Sequence, residues 1–365
     1  MEKEKELTII IENLAGGGAE RSLVNLMNYL AEKGWKIILI MVKKEGVFLD
    51  QLSGRVRIHN INAKNMYFSI YPLIRYFKEN APKLVFSSLD LMNLITIIAV
   101  RLARVDTKTI IQVVNFVSLQ KRSKIKKLLE KALMTFLYPR ANKIVVLSKD
   151  AAIDLEKYAK VPRDQIKVIY SPNITKELLN MAKENPRHPW IHNPTLPVIL
   201  AIGRLNEQKN FSRLLRVFRK VKDEIDARLI ILGEGEEREL LTSKIHSLGL
   251  SEVVDMPGFV NNPYAFLANT TVFVLSSDYE GLAGVVIEAL ACGAPVVSVD
   301  CQSGPREILH NGKYGILVPM NDEEYFAMQI IETINGNIKH VPETWLEQFA
   351  VEYSASEYIK LFESI

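Results

Sequence analysis

The sequence predicts an α/β protein built as two doubly wound halves, each a parallel sheet with helices on both faces. Three observations carry this. Short apolar runs alternate with longer stretches of helical period. The alternation stops in a Pro-, Asn- and His-rich stretch, 183–197, and then begins again. The chain has 365 residues, more than one hydrophobic core usually serves.

In order, Leu7–Ile11 reads as the first strand, followed by a loop holding Gly16, Gly17 and Gly18 and an amphipathic helix from Arg21 to Lys33. A strand, a glycine loop and a helix N-terminus together let backbone N–H groups approach phosphate. The loop lacks the GxxxxGK[ST] and GxGxxG patterns, so by itself a tight turn accounts for it equally well. Further strands are expected at Lys36–Val42, Leu84–Ser87, Thr109–Val114 and Lys143–Leu147. Between the last two, Lys121 to Arg140 has helical period. Ile125, Leu128, Leu129, Ala132, Leu133 and Phe136 share one face, and Lys124, Lys127 and Lys131 lie opposite, flanked by Lys121, Arg122 and Lys126. Such a helix either packs on the core and solvates its charges, or offers them to a bilayer surface or a diphosphate.

The first half closes near Val168–Asn173, and 183–197 reads as a linker. The second half then runs as strand Val198–Ile202, helix Phe211–Val221, strand Ala227–Leu232, helix Glu236–Leu248, strand Val253–Met256, strand Thr271–Leu275, helix Val285–Ala291 and strand Pro295–Val299. Helices are expected at Tyr325–Ile334 and through Trp345–Phe362, the latter anchored by Trp345, Phe349, Tyr358 and Phe362. Two similar halves joined by a hinge leave a cleft, the usual seat of a large ligand.

The net charge of +4 conceals an asymmetry. Residues 1–170 hold 29 lysines and arginines against 16 acids, a net of +13, while residues 171–365 hold 17 against 26, a net of −9. A basic first half suits anionic lipid or a phosphorylated substrate; nucleic acid is disfavoured, since no recognition module accompanies the charge. Cys292 and Cys301 make neither a disulfide framework nor a metal pattern, and read as small buried side chains in a reducing cytoplasm. The start is too charged for a signal peptide, and the most apolar stretch, Leu84–Val105, is broken by Asp90, Asn93 and Arg101. No metal cluster is expected.

Chemistry concentrates in the loops at strand ends. Gly203 and Arg204 follow one strand and lead to Lys209; a guanidinium and an ammonium there would neutralise a diphosphate. Gly233 and Gly235 follow the next strand, and Pro257, Gly258 and Phe259 the one after. The stretch Ser276 to Gly315 then carries Glu280 and Glu288 in an E-x7-E frame, one acid after a strand and the other two turns along a helix. Carboxylates so placed can accept hydrogen bonds from the hydroxyls of a nucleotide-sugar.

Taken in order, Gly16-Gly-Gly-Ala-Glu-Arg21, Gly203-Arg-Leu with Lys209-Asn210, Gly233-Glu-Gly235, Pro257-Gly-Phe259, Glu280-Gly-Leu with Glu288-Ala-Leu-Ala-Cys-Gly-Ala-Pro-Val-Val297, and Ser303-Gly-Pro-Arg-Glu-Ile-Leu309 resemble the retaining glycosyltransferases of family 4 over nearly the whole chain. The resemblance implies the GT-B fold, two Rossmann-like domains facing a cleft. These would be an acceptor domain, 1–170, with 345–365 packing back on it, and a nucleotide-sugar domain, 171–344. It implies that Arg204 and Lys209 grip the donor diphosphate, with Gly17 and Gly18 close to it. Glu288 would take the ribose hydroxyls and Glu280 the donor sugar, while backbone around Gly281, Leu282, Ala283 and Gly284 helps hold phosphate. Gly203, Gly233, Gly235, Gly258 and Phe259 would complete the donor site. Many relatives carry a His after the strand matching Thr109–Val114; here Asn115 stands in that region, able to donate a hydrogen bond but not to act as a base.

The activity implied is retaining transfer of a hexose or N-acetylhexosamine from UDP-sugar, without metal or cofactor, to a lipid-linked (polyprenyl diphosphate) saccharide. Lys121, Arg122, Lys124, Lys127 and Lys131 would face the acceptor or an anionic membrane, placing the protein peripherally on the inner face of the plasma membrane. The alternatives are a GT-B sugar-nucleotide epimerase, and a non-catalytic nucleotide-sugar or membrane-binding protein.

Overall fold

The computed structural model describes residues 5–118, 123–192 and 195–365. The chain divides into two compact units, 1–172 with 349–365, and 173–348. The first holds a seven-stranded sheet of β1 (Glu6–Ile11), β2 (Lys36–Met41), β3 (Arg57–Asn60), β4 (Leu84–Ser88), β5 (Lys108–Val113), β6 (Lys143–Val146) and β7 (Ile166–Val168), in the order β3-β2-β1-β4-β5-β6-β7. Every pair is parallel. The central strands are near-continuous apolar runs because helices cover both faces and leave them no polar side.

The second unit repeats the plan with six parallel strands: β8 (Val198–Ile202), β9 (Arg228–Leu232), β10 (Val254–Gly258), β11 (Val272–Leu275), β12 (Val296–Val299) and β13 (Ile316–Val318). Their order is β10-β9-β8-β11-β12-β13. In each unit the chain winds outward from one central strand and returns to build on its other side. The order therefore reverses between β1 and β4, and between β8 and β11. Loops leaving two such strands diverge to opposite faces, which opens a crevice at their carboxyl ends.

Three strands were not expected from the sequence, β3, β7 and β13. All are edge or near-edge strands of three or four residues, too short for alternation to register. The stretch read as a linker belongs to the second unit instead: it carries the short helix Pro189–His192, and the buried His188 just before it bonds Asp255 through Nε2 at 2.9 Å. The stretch read as one terminal helix breaks at Ala350. Trp345 stays with the second unit, its indole N–H donating to the Ile308 carbonyl at 2.8 Å beside His310 and Tyr314. Phe349, Tyr358 and Phe362 belong to the first, where Tyr358 and Phe362 meet Phe86 of β4 edge-on. Among the described residues no helix is long and apolar enough to cross a membrane.

Candidate functional site

The crevice between β8 and β11 is where the second unit gathers its polar side chains. From β8 the chain passes Gly203 into a turn, Glu207–Lys209, which Asn206 caps by accepting from the Lys209 N–H. Asn210, in the left-handed region at φ 45°, caps the helix Phe211–Glu224 in turn. This loop is stitched to the one after β11. Asn210 Nδ2 and Arg213 donate to Asp278 Oδ1 at 2.9 and 2.8 Å, Arg213 also donates to the Ser276 carbonyl, and Gln208 Nε2 donates to the Tyr279 carbonyl. Ser276 Oγ returns a bond to the Lys209 carbonyl. Arg213 is buried, so its pairing with Asp278 and a carbonyl is what makes its charge tolerable there.

On this scaffold Lys209 Nζ donates to Glu280 Oε1 at 2.6 Å, and Ser277 Oγ donates to the same oxygen at 2.5 Å. Glu280 is only 6% exposed. Both bonds fall on Oε1, and among the described residues nothing is bonded to Oε2. A buried carboxyl so held is oriented and left with one oxygen to accept from a ligand. Gly203 makes the arrangement possible: a Cβ there would press on the Lys209 methylenes at 3.1–3.2 Å. Arg204, one residue on, is exposed and in no ion pair among the described residues.

The second acid stands on the helix Gly284–Ala291, where Glu288 is buried. Ala283, before it, takes a left-handed conformation, φ 63°, which costs an alanine about 1–2 kcal/mol and has to be imposed by its surroundings. The imposing contacts come from the next loop. Ser303 Oγ donates to the Gly281 carbonyl at 2.8 Å, and Gly304, at φ 82°, lies so close to the Leu282 carbonyl that a Cβ would overlap it. The amides at the start of this helix are thereby fixed in place. Gly233 and Gly235 do a different job. A Cβ on either would overlap the Gly203 or Leu205 carbonyl, so these glycines pack the β9 loop onto the β8 loop. Gly258 accepts from the Gly233 N–H at 2.9 Å, and Phe259 is exposed. Cys292 and Cys301 line the back of this region. Burial, then the nearby Glu288 charge, pushes the Cys292 thiol up to about 12. Burial and then Glu280 push Cys301 up as well.

In the first unit, Gly17 is the N-cap of the helix Gly18–Glu32, and a Cβ on Gly18 would meet open space. Asn115 is half-buried two residues beyond β5. Behind it runs a buried polar chain. Ser88 Oγ donates to Gln112 Oε1, Asn93 Nδ2 to the Gln112 carbonyl, Ser87 Oγ to Asn93 Oδ1, and Gln112 Nε2 to the Tyr358 hydroxyl at 2.8 Å. The terminal helix thus braces the carboxyl ends of β4 and β5.

The basic helix spans Lys124–Leu137; Lys121 and Arg122 lie outside the described residues. Its apolar face does not pack on the core. Ile125, Leu128, Leu129, Leu133 and Phe136 are 47–76% exposed, and only Met134 and Leu137 are buried. Two of its lysines are engaged within the unit, Lys127 donating to the Ser118 carbonyl and Lys131 lying over the Tyr158 ring. Lys124 is exposed.

Sequence reasoning missed Ser277, Asp278, Asn210 and Arg213. The Ser-Ser-Asp run just before Glu280 and the Asn before an apolar helical period were signals for the first three. Nothing in the spacing marks Arg213.

Two family models match, "Glycosyltransferase Family 4" over residues 16–172 and "Glycosyl transferases group 1" over 182–344. The chain is 29% identical to the N-acetylgalactosamine-N,N'-diacetylbacillosaminyl-diphospho-undecaprenol 4-alpha-N-acetylgalactosaminyltransferase of Campylobacter jejuni, with 87% of each covered. It is 32% identical to an uncharacterized glycosyltransferase of Methanocaldococcus jannaschii, covering 72% of this chain and 70% of that one. Among solved structures, Anabaena HepE in complex with UDP and glucose superposes with a TM-score of 0.81 at 18% identity, over 99% of this chain and 100% of that one. That likeness is one of fold, the GT-B architecture of two Rossmann-like domains.

Proposed function

The chain belongs to the glycosyltransferases of the group 1 and family 4 kind, and on that footing we propose that it transfers a hexose or N-acetylhexosamine, with retention, from UDP-sugar to a polyprenyl-diphosphate-linked saccharide. The observation that carries the proposal is the Lys209–Glu280–Ser277 cluster at the β8/β11 crevice. It supports the donor chemistry because it sets a cation and an oriented carboxylate side by side where an open α/β sheet receives a ligand. Glu280 accepts a donor-sugar hydroxyl at Oε2. Arg204 and Lys209 face the diphosphate, whose negative charge grows as the bond from C1 to the phosphate oxygen breaks. A fixed donor at such a position is typically worth about 10²–10³ in rate. The amides at the start of the Gly284–Ala291 helix bind phosphate as helix N-termini do, and Glu288 takes the ribose hydroxyls.

The step balances without a protein base. The leaving UDP keeps the electron pair of the C1–oxygen bond. The acceptor hydroxyl oxygen bonds C1 on the same face, and its proton passes to the departing phosphate oxygen. Asn115 is assigned a hydrogen bond to the acceptor, and no metal takes part. A lipid-linked acceptor is favoured by the Campylobacter relative, whose name specifies a diphospho-undecaprenol substrate. The basic first half favours it too. Such an acceptor implies peripheral association with the cytoplasmic membrane face.

Donors screened by UDP release against lipid-linked acceptors test the proposal. Glu280→Ala is expected to abolish transfer with a modest loss of UDP affinity, and Glu288→Ala to weaken UDP itself. Unchanged turnover in both variants would remove the mechanism. UDP-sugar consumed without acceptor would point to epimerisation.

A further inference from the structure

An apolar helix face left in water needs an occupant. Five large side chains of Lys124–Leu137 are exposed along one side, and surface patches of that kind mark interaction sites. Lys124 and Lys126 are exposed at the same helix's start. At its other end Arg140 lies over the Phe136 ring at 3.6 Å and forms one wall of a cavity of about 300 Å³. Arg101 and Arg104, at the end of the helix Asp90–Ala103, line the same cavity, with Thr107, Thr109 and Asn142 at its back. The lining holds three arginines and no acid, and none of the three is in an ion pair among the described residues. Thr107 is buried there with a hydroxyl that bonds nothing among the described residues.

We propose that this face docks the first unit on an anionic bilayer, the helix Lys124–Leu137 lying in the interface and the Arg101–Arg104–Arg140 cavity taking the phosphate of a phospholipid headgroup. An amphipathic helix with a basic flank is the form that lies in a membrane plane. Guanidinium forks match phosphate oxygens. A Phe–Arg pair where the apolar face meets the cavity places a ring at acyl depth and a cation at headgroup depth. The net of +13 over residues 1–170 selects an anionic leaflet. The proposal takes from the lipid-linked acceptor only that a bilayer is at hand, and its contact residues are largely not the lysines singled out from the sequence.

Cosedimentation of the full chain with vesicles of phosphatidylcholine, with and without phosphatidylglycerol, tests it. The wild type is expected to bind the anionic vesicles. Arg101→Gln/Arg104→Gln/Arg140→Gln is expected to lose binding on the order of a hundredfold, at roughly fivefold per cation. Leu128→Ser/Leu129→Ser/Phe136→Ser, all exposed positions, is expected to lose binding while keeping its circular dichroism and thermal midpoint. Affinity for UDP, measured by calorimetry on the same variants, should not move, which separates failure here from failure of the donor site. Wild type that ignores anionic vesicles, or variants that bind them as it does, would overturn the proposal. So would a solution dimer that the Leu128/Leu129/Phe136 variant dissociates, which would give the face to a second copy of the chain.

Discussion

The pair at the centre of the proposed donor site can be separated into its structural and chemical parts. Lys209→Met leaves the Glu280 carboxylate buried with only the Ser277 hydroxyl for compensation. Breaking a buried pair typically costs 3–5 kcal/mol, and with the Ser277 bond retained the lower end applies, about 3 kcal/mol. For a unit of this size that lowers the thermal midpoint by roughly 6–12 °C. Glu280→Gln alone costs less, since Lys209 reaches partial solvent, its side chain being 17% exposed. The double variant Lys209→Met/Glu280→Gln removes both charges together, so it should recover about 2 kcal/mol relative to the sum of the singles. Transfer should not recover with it. Thermal unfolding by circular dichroism and UDP release give the two readouts. Additive stabilities, or a double variant that regains turnover, would refute the assignment of these side chains to both jobs.

Two other outcomes follow from the same geometry. Gly233→Ala, at φ +135° and with no room beside the Gly203 carbonyl, should destabilise the second unit by about 2–4 kcal/mol and lower UDP affinity by displacing the Gly203–Lys209 loop; equal stability and affinity would show that the two loops do not lean on each other. The raised Cys292 thiol predicts alkaline instability. Folded protein keeps a proton that the unfolded chain loses above 9.0, so this contribution is whole below that pH and fades as pH climbs towards 12, by about 1 kcal/mol at pH 10. Cys292→Ala should flatten urea-melt stability between pH 9 and 11 relative to the parent, and an unchanged slope would place the titration elsewhere.

Much of this protein is written in local pattern. The buried strands β1, β2, β4, β5, β6, β8, β9, β11 and β12 are apolar because both their faces are covered, so their runs show in the sequence without any partner in view. Gly203, Lys209 and Glu280, which the structure brings together, stand out in the sequence because loops at strand ends carry unusual residue types in a fixed order. The edge strands β3, β7 and β13 do not, since three or four residues are too few to carry a period. Trp345 shows the same limit: its apolar spacing matched Phe349 and Tyr358, yet it packs with a different unit.

The sequence by itself determined the alternation of strand and helix, the two-part plan, and the residues that carry charge to the strand ends. Those follow from interactions within a few residues along the chain. Only the tertiary structure decided which ends meet. Lys209 and Glu280 are 71 positions apart and face each other because the sheet order reverses between β8 and β11, a fact of pairing that no local period encodes. It also decided which side of Lys124–Leu137 faces water. An amphipathic period states that a helix has an apolar side; what covers that side depends on the surface it is set against.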